Sequence, residues 1–221
     1  MTILRGFIAL TLVAMIAVFA NTASANLLSN ASFESVIEYG DPDLPNWFAF
    51  FGAGSSGTLS TVDGGYSGTI MPSDGAHHLS ISNDGTASGF SGVLQRAAVT
   101  AGVDYVFSFD AKSNSGASFP LGAEYRIEWL DAGSGVIGAT PNVPIGGALT
   151  DSYQNFDLTA TAPAGAVRAV PVIAVETFSA SGTPGNLFVD NSSLTAIPEP
   201  GTLVLAGISL IGMLGARRRR A

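Results

Sequence analysis

Cysteine is absent from the 221 residues. That excludes a disulfide scaffold, a thiolate metal site and a cysteine nucleophile. Charge is also scarce, at 12% of residues, and cations are the rarer sign. Only nine basic residues occur, and five of them sit in the two tails, Arg5 and Arg217–Arg220. Between residues 26 and 197 there are four (Arg96, Lys112, Arg126 and Arg168) against sixteen acids, a net charge of −12. A segment that acidic repels phosphate backbones, which excludes nucleic acid as a partner. No long helical period is present, and 27 glycines with 11 prolines interrupt helices too often for a bundle. The 47% of hydrophobic residues is ample for a core, so the chain is not disordered.

Both ends read as addresses. Met1–Arg5 supplies a positive start, Gly6–Ala20 an apolar run, and Ala23-Ser-Ala25 small residues for a peptidase pocket. This is the pattern of a secretory signal peptide over 1–25, cut by signal peptidase after Ala25. At the other end, Pro198-Glu199-Pro200 precedes an apolar run from Gly201 to Ala216, followed by Arg217, Arg218, Arg219 and Arg220. Sixteen helical residues reach about 24 Å, a short span that snorkelling arginines extend. The arginines stay on the cytoplasmic side, which puts the main domain outside.

In this order, at the extreme C-terminus, the three elements over 197–221 resemble the PEP-CTERM sorting signal. The resemblance implies a Gram-negative bacterium that makes exopolysaccharide. It also implies processing near Pro-Glu-Pro by exosortase, a membrane transpeptidase-like enzyme. The protein would be held transiently in the inner membrane, then delivered to the cell surface or extracellular matrix.

The 26–196 segment reads as β. Val103, Tyr105, Phe107 and Phe109 alternate with polar residues, as do Tyr125, Ile127 and Trp129 with Glu124, Arg126 and Glu128. Further strands are expected at 77–82, 92–99, 153–160, 167–175 and 186–195, and a Gly/Ser-rich loop over 52–68. Many short strands in one domain make an all-β sandwich. Asn26–Glu34 opens this segment, Trp47, Asp74–Leu79 and Thr100–Tyr105 follow, and Phe188–Leu194 closes it. That order resembles the galactose-binding-like jelly rolls of carbohydrate-binding modules. The resemblance implies that first and last strands lie side by side and that Glu34 and Asp190, with backbone carbonyls, hold a structural Ca²⁺. Asn191 stands where that family often has a second acid. The alternative for both residues is ordinary loop and turn bonding.

Sugar binding needs an aromatic platform beside polar groups that read hydroxyls. Trp47 and Tyr66 are candidate platforms, with Phe51 also near the Gly-rich loop, although core packing is favoured for Trp47 and for Trp129. Glu124, Arg126 and Glu128 either line a polar groove or form a solvated sheet face. His77 and His78 point to opposite faces and do not chelate one metal. His77, in phase with Leu79 and Ile81, is expected beneath the surface. No Gly-x-Ser-x-Gly, His-Glu-x-x-His or phosphate-loop motif occurs. The expectation is a non-catalytic protein associated with exopolysaccharide. A structural matrix protein without glycan affinity and a glycan-processing enzyme are the alternatives.

Overall fold

The computed structural model describes residues 24–35, 46–52, 58–63, 70–83, 85, 88–113, 119–177 and 184–198. Residues 1–23 of the expected signal peptide, Tyr66, Glu199, Pro200 and Arg217–Arg220 lie outside these residues, and so does the apolar run 201–216. Ala25–Ala196 form one compact unit. No helix among the described residues is long and apolar enough to cross a membrane.

The unit is a two-sheet jelly-roll sandwich. Its strands are β1 (Phe48–Phe51), β2 (Thr58–Asp63), β3 (His77–Asn83), β4 (Gly89–Leu94), β5 (Ala97–Ala98) and β6 (Asp104–Ser113). They continue with β7 (Gly122–Leu130), β8 (Val136–Ala139), β9 (Val143–Pro144), β10 (Gln154–Thr161), β11 (Arg168–Thr177) and β12 (Gly185–Ala196). One sheet runs β1-β4-β11-β7-β8, with β5 on β11 and β9 on β7; the other runs β10-β6-β12-β3-β2. Strand pairing is antiparallel throughout the described residues.

Alternation decides what lies between the sheets. Tyr105, Phe107 and Phe109 of β6 meet Tyr125, Ile127 and Trp129 of β7 in one core, joined by Leu79, Ile81, Ile173, Leu187 and Val189. Phe109 sets its ring edge-on to Tyr125 at 5.0 Å, a favoured aromatic geometry. The N-terminal segment lies beside β12, as the resemblance implies. Leu27 N–H donates to the Leu194 carbonyl, Ser192 N–H donates to the Ala31 carbonyl, and the Asn26 amide bonds at both Ser192 and Leu194.

Three local expectations are corrected. The span 52–68 is not all loop: Thr58–Asp63 is a strand paired with His77–Ser82. A run of Thr and Ser suits a strand once a partner edge supplies the hydrogen bonds. The 92–99 strand is broken: β4 ends at Leu94 and β5 begins at Ala97. The histidine pair is also reversed. His78 is fully buried, whereas His77 stays partly exposed beside Glu34. His77 is in phase with the core residues but sits at the strand's first position, where a carboxylate reaches it before the core does.

Candidate functional site

Two places bring the expected residues together. The first is the loop 73–77, clamped by two carboxylates. Glu34 Oε1 accepts from the backbone N–H groups of Ala76 (2.8 Å) and His77 (2.9 Å), and its Oε2 lies 3.2 Å from His77 Nδ1. Its carboxyl is held below the usual range, first by the backbone N–H of His77 and then by the His77 ring. Asp190 reaches the same loop from β12. Its Oδ2 accepts from the N–H groups of Ser73 (2.8 Å) and Asp74 (2.9 Å), and its Oδ1 from that of Asn191 (2.8 Å). Asp190 is inaccessible to solvent. Burial pushes its carboxyl up, and those three N–H groups with the Ser73 hydroxyl oppose the shift.

The backbone is shaped for this clamp. A β-bulge interrupts the register of β12 between Asp190 and Ser193, and Asn191 inside it is left-handed at φ 47°. A bulge re-aims a side chain, and here it turns Asp190 onto the loop. Gly75, at φ +64°, is required between the two clamps, because a Cβ there would stand 2.2 Å from Glu34 Oε1.

A Ca²⁺ at this point needs six to eight oxygens. No group of three or more acidic, His or Cys side chains gathers round one point among the described residues. Asp190 Oδ1 and Glu34 Oε2 each receive one hydrogen bond, so each keeps an acceptor position. The donor set is therefore compatible with the ion only if these two oxygens are completed by backbone carbonyls.

The second place is the outer face of the β1-β4-β11-β7-β8 sheet. Glu124, Arg126 and Glu128 lie there, opposite in phase to the core residues Tyr125, Ile127 and Trp129. Arg126 is bonded to both neighbours: Nη2 to Glu128 Oε1 at 2.6 Å and Nη1 to Glu124 Oε1 at 3.3 Å. Cross-strand pairing adds residues that the strand pattern alone did not single out. Glu176 of β11 is diagonal to Glu124, and Phe90 of β4 stands directly opposite Glu176. Glu176 is pushed up to about 7, first by burial and then by its hydrogen bond to Glu124 and that group's charge, with Arg126 opposing. Phe90 is 46% exposed, and its ring lies 5.9 Å from that of Phe50. Gly92 makes room for Phe50: a Cβ there would lie 2.6 Å from the ring and 2.3 Å from the Ile173 carbonyl. Further along, Leu130, Val170 and Val172 form a separate apolar cluster with Phe50 and Leu94. A notch of about 220 Å³ opens beside it.

Trp47 does not join this face. It is fully buried, packs with its ring tilted 31° to that of Phe33 at 5.2 Å between centroids, and its Nε1 donates to the Asn30 carbonyl. Trp47 is therefore a core residue and not a sugar platform. Trp129 is a core residue too.

Residues 196–220 match the PEP-CTERM protein-sorting motif, so the chain carries the signal that its tail resembles. No curated protein matches the chain. Among solved structures, the enzymatically active domain of bacteriophage CBA120 tailspike protein 4 is similar over 78% of this chain and 21% of its own, with a TM-score of 0.56 and 19% identity. The arabinose-bound α-L-arabinofuranosidase MgGH51 is similar over 80% of this chain and 27% of its own (TM-score 0.54, 18% identity). The CBM22-1 xylan-binding domain from Paenibacillus barcinonensis Xyn10C is similar over 80% of this chain and 98% of its own (TM-score 0.51, 15% identity). This chain thus spans about a fifth of the tailspike domain and about a quarter of the arabinofuranosidase. At these identities the likeness is one of fold: the domain has the jelly-roll architecture of carbohydrate-binding modules.

Proposed function

We propose that this is an exported, non-catalytic surface or matrix protein that binds exopolysaccharide along the outer face of the β1-β4-β11-β7-β8 sheet. The observation that carries the reading is the pairing on one exposed face of an aromatic platform, Phe50 and Phe90, with a row of hydrogen-bonding side chains, Glu124, Arg126, Glu128 and Glu176. Rings take the C–H face of a sugar while carboxylates and a guanidinium read its hydroxyls. Glu124 and Glu176 are diagonal cross-strand neighbours, and Arg126 is bonded to Glu124 and Glu128, so these acids are tied to one another's strand and to a cation rather than set about a bond to be cut. A retaining glycosidase holds its carboxyls about 5–5.5 Å apart and an inverting one wider.

Binding is tested by glycan array and by titration of the host's own polysaccharide. Phe90→Ala is expected to weaken binding about tenfold or more, since a stacked ring supplies on the order of 1–3 kcal/mol, and to leave the fold intact. Absence of saturable binding to any glycan would favour a purely structural matrix role. Release of reducing ends would favour an enzyme.

In this reading signal peptidase removes 1–25. Exosortase then recognises Pro198-Glu199-Pro200 and Arg217–Arg220 while the tail holds the protein in the inner membrane. Changing Pro198, Glu199 and Pro200 to alanine is expected to leave the membrane-held precursor intact and stop its processing, read as an intact-mass difference in the envelope fraction. Normal release of that variant would overturn the sorting reading.

Calcium belongs to the same proposal, with Glu34 and Asp190 as its side-chain ligands. Bound there, the ion would supply charge compensation for two acids that already hold the 73–77 loop. Saturating Ca²⁺ at a hundredfold excess over Kd is expected to stabilise the protein by about 2.7 kcal/mol. Asp190→Asn should abolish the difference between melts in Ca²⁺ and in chelator. Identical melts of the unaltered protein in both would remove calcium from the account.

A further inference from the structure

We propose that the notch beside Phe48 on the outer face of the β1-β4-β11-β7-β8 sheet receives a neutral 6-deoxyhexose, its C5-methyl group seated on the aliphatic floor. This rests on reading that face as a glycan-binding surface and names the class of sugar it selects.

The floor is aliphatic. Leu130 and Val170 are each 3% exposed, and Leu94 and Val136 flank them. None of the four side chains forms hydrogen bonds, so a sugar hydroxyl pressed onto this floor loses its water and gains no partner. A methyl group loses nothing there. An ordinary hexose carries a hydroxyl on C6, whereas a 6-deoxyhexose has a methyl in that place and keeps the hydroxyls on its ring. The space is about 220 Å³, below the roughly 300–1,000 Å³ of pockets that enclose a drug-sized ligand, so it takes one residue of a glycan. Phe48 forms the wall toward the aromatic platform. It lies two residues from Phe50 on the same strand, about 7 Å away. A glycan stacked on Phe50 and Phe90 reaches the notch with a neighbouring sugar.

The rim holds an acceptor and a donor, both fixed. Glu128 lines the notch and stands directly opposite Val170 across the β7–β11 pair. Arg126 places both of its bonds to Glu128 on Oε1, from Nε at 2.8 Å and from Nη2 at 2.6 Å. That holds the carboxylate in one pose and leaves Oε2 to accept from a sugar hydroxyl. Ser134 lines the notch as well. Its turn is fixed by Asp131 Oδ1, which accepts from the N–H groups of Gly133 (2.9 Å) and Gly135 (2.8 Å). The Ser134 oxygen accepts from Arg168 Nη1 at 2.8 Å, so its own O–H is left to donate to the sugar.

The same residues select against charge and against an acyl group. Arg168 is bonded to Ser134, and Arg96, which completes the lining, has contacts of its own. Neither is a spare cation for a uronate. The Glu128 carboxylate, in a segment of net charge −12, repels one. An O-acetyl group would also bring a methyl, but with a carbonyl that only accepts hydrogen bonds, beside a carboxylate that only accepts them. A methyl set directly on a ring whose hydroxyls donate satisfies floor and rim together.

The test uses the full-length protein in a sugar-free detergent and matched pairs of sugars: L-rhamnose with L-mannose, L-fucose with L-galactose, and 6-deoxy-D-glucose with D-glucose. Binding is read by calorimetry and NMR titration. In at least one pair the 6-deoxy sugar is expected to bind about tenfold or more tighter, since an apolar pocket rejects an added hydroxyl by up to about a hundredfold. Val170→Thr keeps the shape of the floor and puts a hydroxyl in it, which is expected to shrink that preference about fivefold or more. Val136→Thr makes the same change at a position 63% exposed, with little risk to the fold. Glu128→Gln should weaken both members of the pair alike, because the hydroxyls it reads are common to both. Three results overturn the deoxysugar assignment and leave the glycan-binding face standing when other glycans bind. They are equal or tighter binding of the parent hexose in every pair, tighter binding of 6-O-acetyl-D-glucose or glucuronate than of 6-deoxy-D-glucose, and a preference that both threonine variants keep in full. Binding of none of these sugars and of no glycan on the array overturns both.

Discussion

Trp47→Ala lowers the melting temperature by about 6–20 °C, while Phe90→Ala shifts it by only a few degrees. Trp47 is fully buried, packs on Phe33 and bonds through Nε1 to the Asn30 carbonyl. Truncating such a residue leaves a cavity and removes one of the two hydrogen bonds to the Asn30 carbonyl, which keeps that from the Phe33 N–H, and costs about 3–5 kcal/mol. In a domain of this size each kcal/mol is worth about 2–4 °C. A second loss goes the same way. Phe33 is left-handed at φ 54°, a strained state for a bulky residue, and the Trp47 ring is what packs over it. Phe90, by contrast, has nearly half its surface in water. Thermal melts by circular dichroism separate the two. A Trp47→Ala protein that melts with the unaltered one would mean the ring is on the surface after all, and would return it to the sugar-binding face.

This pair of aromatics shows what a single sequence yields and what it withholds. The β6 and β7 strands were legible because their residues alternate without interruption, and the in-phase set proves to be the core. Glu124, Arg126 and Glu128 were legible as a face for the same reason. Phe50, Phe90 and Glu176 were not, because nothing within a strand says which residue of another strand will stand beside it. Phe90 meets Glu176 only through the β4–β11 register, and Glu124 meets Glu176 only through β7–β11. The notch is likewise a product of register, with Arg96 and Val170 of its lining lying 74 residues apart in the chain. Asp190 was found through a terminal motif, yet its hold on Ser73 and Asp74 depends on a bulge that leaves no mark in the pattern of hydrophobic residues. The strand at Thr58–Asp63 was hidden by glycines on both sides, which signal a loop unless a neighbouring edge is known.

The second large effect is an acid sensitivity that one residue creates and another conceals. His78 lies on the outer side of β3, inaccessible to solvent, between Phe188 (5.0 Å between ring centroids) and Tyr153, whose hydroxyl is 2.9 Å from Nδ1. Its Nε2 has no hydrogen-bond partner. Burial, then the charge of Lys112, then that of His77, lower its pKa to about 4. Between pH 6.5 and 4 the unfolded chain therefore binds a proton at this position that the folded one refuses. Stability rises with pH across that window, and on acidification the contribution, on the order of 3 kcal/mol, is lost. Glu176 runs the other way. Its folded pKa, about 7, lies above its unfolded value of 4.5, so the folded state binds the extra proton and its contribution is lost as pH rises from 4.5 to 7. Over pH 4.5–6.5 the two slopes oppose each other, and the unaltered protein should show a shallow profile. Glu176→Gln removes the opposing group. Its stability, from urea unfolding at successive pH values, is expected to fall by on the order of 3 kcal/mol between pH 7 and pH 4 relative to a Glu176→Gln, His78→Leu, Tyr153→Phe protein. The triple variant replaces the histidine and its hydroxyl partner together, so no buried polar group is left stranded. Parallel profiles for the two variants would mean that His78 is free to take its proton in the folded state, and that the pocket formed by Tyr153, Phe188 and Lys112 opens to water.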